Sequence, residues 1–370
     1  MSAHNPSLRL GIDARPLLSP KRTGVENYAY HLVRHLALIE EGPEILLYAD
    51  RRAKPAFPLP RTMRLRVVEA RAGWLRLALP LALLRDRVRV MHFPATVTPP
   101  WAPCRKVVTV HDLASEHYPE AYAPADLCMQ RYALHHSAAR ADRVIAVSQS
   151  VRDDLLRFTR VRPERIEVIH EAADERFFEP PTDSGPPLAL EPGYVLFVGN
   201  LVPRKNLGRL IDAYAEARTL GVSAPLVIVG AGRPQHEGQL RRRAAGLGVS
   251  EHLKLPGYLD DADLPALYRH AALLAWVSLY EGFGMPPLEA GACGTPVVAS
   301  NVSCFPEVLG DAAILVDPHD THAIATALAA LATDPERRAE MAARMQARAR
   351  QFSWAEAARR TLDCYLSLAK

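Results

Sequence analysis

The sequence predicts an α/β protein made of two doubly wound parallel-sheet domains, and three observations carry that expectation. Short β-branched runs alternate with longer amphipathic stretches from one end of the chain to the other. The runs are apolar without alternation, as strands covered by helices on both faces must be. At 370 residues the chain exceeds one ordinary core, so two domains are expected.

Composition excludes several classes. Apolar residues make up 49% and charged residues 23%, the balance of a packed globular protein rather than a disordered or fibrous one. The N-terminus, MSAHNPSLRLGIDARPL, lacks the basic flank and apolar run of a secretory leader. No window approaches the roughly 18 uninterrupted apolar residues of a spanning helix. Cys104, Cys128, Cys293, Cys304 and Cys364 show no CxxC spacing, which argues against a zinc site or a disulfide framework. A cytoplasmic location fits.

The first domain is expected over residues 1–178. Its strands are read at LRLGIDA from Leu8, EILLYA from Glu44, MRLRVVE from Met63, VMHFP from Val90, KVVTVHD from Lys106, RVIAVS from Arg143 and IEVIH from Ile166. Between the first two, GVENYAYHLVRHLALI places Tyr28, Leu32, His35 and Leu36 on one helical face. Between Arg51 and Val90, eleven Lys or Arg stand against two acids; with +4 overall, the rest of the chain is therefore near −5.

That basic stretch contains WLRLALPLALLRDRVRV, which has two readings. One is a helix over Trp74 to Leu84 leading into VMHFP, with Pro80 interrupting any longer amphipathic helix. The other is contact of the arginines with an anionic membrane or a lipid pyrophosphate. The helix is preferred and peripheral membrane contact is kept for the arginines. Nucleic-acid binding is not expected, because no aromatic or recognition-helix pattern accompanies the charge. His135 and His136 are adjacent in a helical stretch, so they face different directions and read as structural rather than as a ligand pair.

Residues 179–192, EPPTDSGPPLALEP, carry five prolines and no periodicity and read as a linker. The second domain follows over 193–352, with strands at YVLFVGN from Tyr194, LVIVG from Leu226, LKLPGY from Leu253, LLAWVS from Leu273, PVVAS from Pro296 and AILVD from Ala313. Leu207, Leu210, Ile211 and Tyr214 form one helical stripe, with Asn206 placed to cap it. Residues 353–370 read as a last helix capped by Ser353, with Trp354, Ala358, Leu362, Tyr365 and Leu366 on its apolar face.

Chemistry concentrates in three loops of the second domain, where a doubly wound sheet binds ligands beyond its strand ends. GNLVPRKNL puts Arg204 and Lys205 between a strand and a helix; the pair suits a diphosphate, or is two solvated charges. VGAGRP, Val229 to Pro234, is glycine-rich but not GxGxxG, and reads as a tight turn. SLYEGFGMPPLEAGACGTPVVAS sets Glu281 before a Gly-rich turn and Glu289 after it. Pro286 and Pro287 suit a first helical turn, which puts Glu289 near the third helical position, and Gly294 suits the stop. A carboxylate beside a phosphate-binding turn makes sense if it faces a polyol, such as a ribose diol. Singly, Glu289 reads as a helix N-terminal charge and Glu281 as a loop charge.

Glu281 and Glu289, within EGFGMPPLEAGACGTPVVAS, closely resemble the donor-site signature of the retaining glycosyltransferases of family four, which have the GT-B fold. GIDARPLLSPKRTGVENYAYHLVRHL, VVTVHDL, ADRVIAVSQSVRDDLL, FVGNLVPRKNL, PGYLDDADLPALYRHAALLAWVSLYEGFG and VSCFPEVLGDAAILVDP resemble further segments of that family, in order, over nearly the whole chain. The resemblance implies two Rossmann-like domains facing a central cleft, an acceptor-binding first domain, a donor-binding second one, and a C-terminal helix packing back on the first. It implies that Arg204 and Lys205 hold the donor diphosphate and that Glu289 binds the ribose. Glu281, with the amides of Phe283, Gly284 and Met285, would grip the sugar; His111 would sit against it; Gly24 would lie near the phosphates; Asn200 and Gly257 would flank the base.

The implied reaction is transfer of a hexose from a nucleotide-sugar to a saccharide or lipid-linked saccharide, with retention. GFGMPPLEA and KRTGVENY most resemble bacterial mannosyltransferases of polysaccharide and lipopolysaccharide assembly, which favours GDP-mannose. UDP-glucose or UDP-N-acetylglucosamine is the alternative donor, and a phosphorylase or epimerase on the same fold the alternative enzyme. No metal or other cofactor is expected. Asp261 and Asp263 spell DxD, but they precede a helical stretch and read as its cap.

Overall fold

The computed structural model describes residues 8–19, 24–52, 55–180, 185 and 187–370. Two compact units form: one holds the chain through Glu171 together with Ser353–Lys370, the other Ala172–Phe352.

The first unit is built on a parallel sheet of seven strands, β1 (Arg9–Asp13), β2 (Glu44–Ala49), β3 (Met63–Val67), β4 (Val90–Phe93), β5 (Arg105–Val110), β6 (Arg143–Ala146) and β7 (Ile166–Val168). Their order is β3-β2-β1-β4-β5-β6-β7. The second unit carries β8 (Tyr194–Val198), β9 (Leu226–Val229), β10 (Leu253–Gly257), β11 (Ala271–Trp276), β12 (Val297–Ser300) and β13 (Ile314–Val316), in the parallel order β10-β9-β8-β11-β12-β13. The apolar runs read from the sequence supply all of these strands. Their central members are buried along their whole length, as in β8 and β9, because helices cover both faces.

Helix Gly24–Leu36 buries the expected Tyr28, Leu32, His35 and Leu36. The last helix, Trp354–Ala369, packs within the first unit and buries Trp354, Ala358, Leu362 and Tyr365, with Ser353 accepting from the Glu356 amide. There the Tyr365 hydroxyl bonds His92 at 2.6 Å, His92 bonds Thr109 at 2.8 Å, and Thr109 bonds the Tyr28 hydroxyl at 3.0 Å. Burial pushes His92 down to about 3, with the nearby charge of His111 adding to it, so this chain is neutral.

Two expectations of capping are corrected, and the compact units part at a different residue from the expected domain end. The units divide at Glu171/Ala172, before the expected end at 178, because Phe177 is buried against the ring of Tyr268 and Arg269 bonds the carbonyls of Phe177 and Glu179. Part of the expected linker, 181–184 and 186, lies outside the described residues. Asn206 precedes helix Leu207–Thr219 but does not cap it with its side chain. Its backbone is left-handed at φ 59°, and its amide instead donates to the carbonyls of Val277 and Pro318 at 3.1 and 2.7 Å, tying this loop to the ends of β11 and β13. Asp261 and Asp263 lie on a single 3-10 turn that runs into helix Leu264–Arg269, and neither makes a capping bond. Asp263 is already in the helical region, outside the extended geometry from which a cap reaches its amide.

The stretch from Trp74 is helical, as preferred from the sequence. A π-turn, Trp74–Ala78, continues into helix Leu79–Arg85, burying Trp74, Leu79, Pro80, Ala82 and Leu83. The opposite face presents Leu77, Leu81 and Leu84, exposed by 68%, 59% and 58%.

Candidate active site

In the second sheet β8 and β11 are neighbours from which the chain departs in opposite directions. Such a switch point is where open α/β sheets bind ligands, beyond the carboxyl ends of the strands. Arg204 and Lys205 leave β8 there on the 3-10 turn Pro203–Lys205, and Glu281 leaves β11.

These three side chains meet. Arg204 Nη1 donates to Glu281 Oε2 at 2.8 Å and to the Tyr280 carbonyl at 2.9 Å. Lys205 Nζ donates to Glu281 Oε1 and stands 4.4 Å from the centre of the Trp276 ring. Glu281 and Lys205 are each only 7% exposed. Burial favours the neutral carboxyl, but Lys205 and Arg204 outweigh it through charge and hydrogen bonds and hold Glu281 down at about 2. Glu281 is therefore an ionised group that only accepts hydrogen bonds at neutral pH. Trp276 is set by its stack on Phe197 at 4.7 Å, and a Cβ at Gly199 would stand 2.9 Å from the indole.

The turn after Glu281 is shaped by Gly284. Its φ is 84°, and a Cβ there would come within 2.7 Å of Phe305 Cε1, so no other residue fits without displacement. Phe283 is buried and meets Phe352 edge-on at 5.8 Å. Helix Met285–Ala292 starts at once, with Pro286 and Pro287 in its first turn and Gly294 at φ 78° beyond its end. Pro286 and Pro287 carry no N–H, so the donors without an intrahelical partner at this helix start are the amides of Gly284 and Met285, which suit an anion.

Because the helix begins at Met285, Glu289 is its fifth residue rather than near its third. Its Oε2 accepts from the Tyr268 hydroxyl at 2.9 Å. Burial pushes Glu289 up to about 7, against the Tyr268 bond and the charge of Arg176 and with the help of Asp261 and Asp174. The same neighbourhood raises the Tyr268 phenol. The two glutamates thus lie in opposite electrostatic environments, the pattern that separates carboxylates by role.

Asn200 is exposed directly after β8, and Gly257, at φ 88°, closes β10. The glycine loop between them is more than a tight turn. A Cβ at Gly230 would lie 1.9 Å from the Gly199 carbonyl oxygen, and the Gly230 amide donates to the Gly257 carbonyl at 2.8 Å. Backbone contact through these glycines draws the ends of β8, β9 and β10 together.

In the first unit, His111 follows β5, and both its nitrogens face oxygens: Nδ1 that of Glu171 at 3.2 Å, Nε2 the Pro94 carbonyl at 2.8 Å. Burial would lower its pKa, yet Glu171 and the Pro94 carbonyl outweigh burial and raise it, so the surroundings favour the protonated ring. Tyr28 meets the ring edge-on at 4.7 Å. Gly24 is exposed at the start of helix Gly24–Leu36, with open space where a Cβ would be. His135 bonds Glu116 at 3.0 Å and His136 tilts against Tyr132, as structural histidines do. Sequence reasoning missed Trp276, Tyr268, Glu171 and Ser303, because each is linked to its partner across a long sequence separation that no local spacing encodes.

Comparison with known proteins follows the same division. The family described as "Glycosyl transferases group 1" matches residues 182–352, and "Glycosyltransferase Family 4" matches 22–177. The chain is 34% identical over 272 residues to the O-antigen chain mannosyltransferase B of Escherichia coli, covering 70% of each chain. It is 31% identical over 276 residues to the serotype-specific mannosyltransferase WbdA of Escherichia coli, covering 72% of this chain but 34% of the length of WbdA. Among solved structures, sucrose-phosphate synthase from Thermosynechococcus elongatus superposes with a TM-score of 0.76 at 20% identity, over 98% of this chain and 99% of that one, a likeness of fold. With two parallel-sheet α/β units, each matched by a glycosyltransferase family, and a relative this similar, the chain belongs to family 4 of the glycosyltransferases, enzymes of the GT-B fold.

Proposed function

We propose that this enzyme transfers mannose from GDP-mannose, with retention, to a saccharide or lipid-linked saccharide in the assembly of a cell-surface polysaccharide. The observation that carries the reading is the cluster of Arg204, Lys205 and Glu281 at the switch point, beside the turn at Gly284. The identity to two mannosyltransferases of Escherichia coli supports the choice of sugar.

In this reading Arg204, Lys205 and the amides of Phe283, Gly284 and Met285 receive the diphosphate and the groups next to it. Glu281 accepts from sugar hydroxyls, Glu289 from the ribose diol, and Asn200 and Gly257 flank the base. The acceptor oxygen bonds to the anomeric carbon as the bond from that carbon to the phosphate oxygen breaks. The departing phosphate takes the acceptor proton, leaving a glycoside and GDP. Arg204 and Lys205 stabilise the charge growing on the phosphate, the electrostatic contribution that dominates many such sites. No metal is required by this scheme.

The enzyme is further proposed to work at the cytoplasmic face of an anionic membrane. No helix among the described residues is long and apolar enough to cross one. Leu77, Leu81 and Leu84 make one outward stripe, and Arg76, Arg85, Arg87 and Arg89 around it are exposed. An apolar stripe edged by arginines suits insertion at the headgroup boundary.

Four outcomes test these assignments. In a thermal-shift panel GDP should stabilise the protein more than UDP, and the product of GDP-mannose and a lipid-linked saccharide should keep the anomeric configuration by NMR; UDP ahead of GDP rejects the donor. Glu281→Gln should leave Lys205 buried without its counter-charge, costing about 3 kcal/mol of stability and on the order of a hundredfold in turnover. GDP should then restore more melting temperature to this variant than it adds to the parent, and parental turnover would sink the role of Glu281. The affinity for GDP-mannose should rise roughly tenfold between pH 6 and pH 8, as Glu289 ionises through about 7. Glu289→Gln should flatten that profile, while a flat profile in the parent counts against the diol contact. Finally, the protein should co-sediment with vesicles rich in phosphatidylglycerol and be released by salt, and the triple change of Leu77, Leu81 and Leu84 to Ser should abolish binding at unchanged melting temperature. A parent that stays in the supernatant refutes the membrane contact.

A further inference from the structure

The segment from Leu279 to Gly284 has no regular secondary structure, so its buried backbone groups must be satisfied from outside. One side is held by the β8 loop, where the Leu279 amide donates to the Arg204 carbonyl at 2.8 Å and Arg204 holds the Tyr280 carbonyl. The other side is held by the hydroxyl of Ser303. Its Oγ accepts from the Glu281 amide at 3.2 Å and donates to the carbonyl of the same residue.

Ser303 follows β12 and sits at φ 59°, a left-handed backbone that few residues other than glycine adopt. On backbone grounds alone glycine suits the position better, yet serine occupies it, and its hydroxyl closes on both peptide groups of the site carboxylate. The next residues continue the same wall: Phe305 abuts Gly284. The loop after β12 therefore forms the back of the turn after β11.

We infer that Ser303 is a positioning residue for glycosyl transfer, its hydroxyl clamping both peptide groups of Glu281 so that the carboxylate is aimed at Arg204 and Lys205. The inference rests on the role proposed for Glu281 and extends it to a residue that acts through the backbone of that glutamate. Losing the clamp frees the backbone of Glu281 to rotate while leaving the cations in place, and small misplacements of a reacting constellation are costly in rate.

The test is a double-mutant cycle on the full-length enzyme, assayed with GDP-mannose, or with UDP-glucose should the thermal-shift panel select it. Ser303→Gly removes the hydroxyl and relieves the backbone but leaves both peptide groups of Glu281 without that partner, so the melting temperature should fall by only a few degrees, with the fold kept. Its kcat should fall on the order of tenfold, with the Kd for the nucleoside diphosphate within about twofold. Ser303→Ala, which keeps the Cβ but lacks the hydroxyl, should show the same loss of kcat as Ser303→Gly. Combined with Glu281→Gln, Ser303→Gly should cost nothing further, because it acts through Glu281. Parental kcat in Ser303→Gly, or losses that add in the double variant, overturn the clamp while leaving the role of Glu281 intact. Parental turnover in Glu281→Gln overturns both.

Discussion

The second unit is organised around one shared carboxylate. Glu281 is bonded by Arg204 and by Lys205, and those residues reach it only because β8 and β11 lie side by side while their connections run opposite ways. An ion cluster this buried is weak evidence for stability, since desolvation offsets most of its attraction. Its value lies in preorganisation. Two cations beyond a strand end would otherwise repel each other and splay into solvent; with Glu281 between them they are fixed in place before any anion arrives. The short chain of backbone bonds from Leu279 to Arg204 and from Glu281 to Ser303 turns that electrostatic arrangement into a geometric one.

The first unit handles charge differently. Its interior polar chain, from Tyr365 through His92 and Thr109 to Tyr28, is neutral, and it joins the last helix to the first helix and the centre of the sheet. His111, at the end of β5, is shifted the other way, with Glu171 facing its ring and favouring the protonated form. The same residue type is shifted down at His92 and up at His111: one buried ring meets hydroxyls, which both donate and accept, and the other meets a carboxylate and a carbonyl, which only accept. Residues 353–370 belong to this core although they follow the second unit in sequence. Trp354 stacks on His31 at 5.1 Å and meets Tyr28 edge-on at 5.8 Å.

The strands were legible in the sequence for a physical reason: a parallel strand buried on both faces must be an unbroken apolar run, as YVLFV and LVIV are. Helix Met285–Ala292 was legible because prolines tolerate only its first turn. Side-chain capping at Asn206 and Asp263 was not, because it depends on backbone angles that composition does not determine. The compact units part upstream of residue 178 because Phe177 meets Tyr268 across ninety-one residues of chain. The pairing of Glu281 with Lys205 spans 76 residues. Resemblance to a family named both residues but gave no sign that they are partners.

A conflict of charge is built into the site. Glu281 and Glu289 stand eight positions apart, and both lie beside a turn suited to an anion, which two ionised carboxylates would oppose. The fold resolves the conflict in two ways: Glu281 keeps its charge but is neutralised by Lys205 and Arg204, while Glu289, lacking such a bonded cation, is pushed toward its neutral form by burial. With Glu289 protonated, Arg204, Lys205 and Glu281 together carry one positive charge, enough to favour a diphosphate without leaving a buried cation unpaired. An arriving polyol then meets one acceptor that is permanently ionised and one whose ionisation is free to follow the ligand. Glu281 owes its charge to the loop after β8, and Glu289 owes its raised pKa to burial that outweighs the bond from Tyr268, so the spacing of the two glutamates acquires its chemical meaning only in the folded chain.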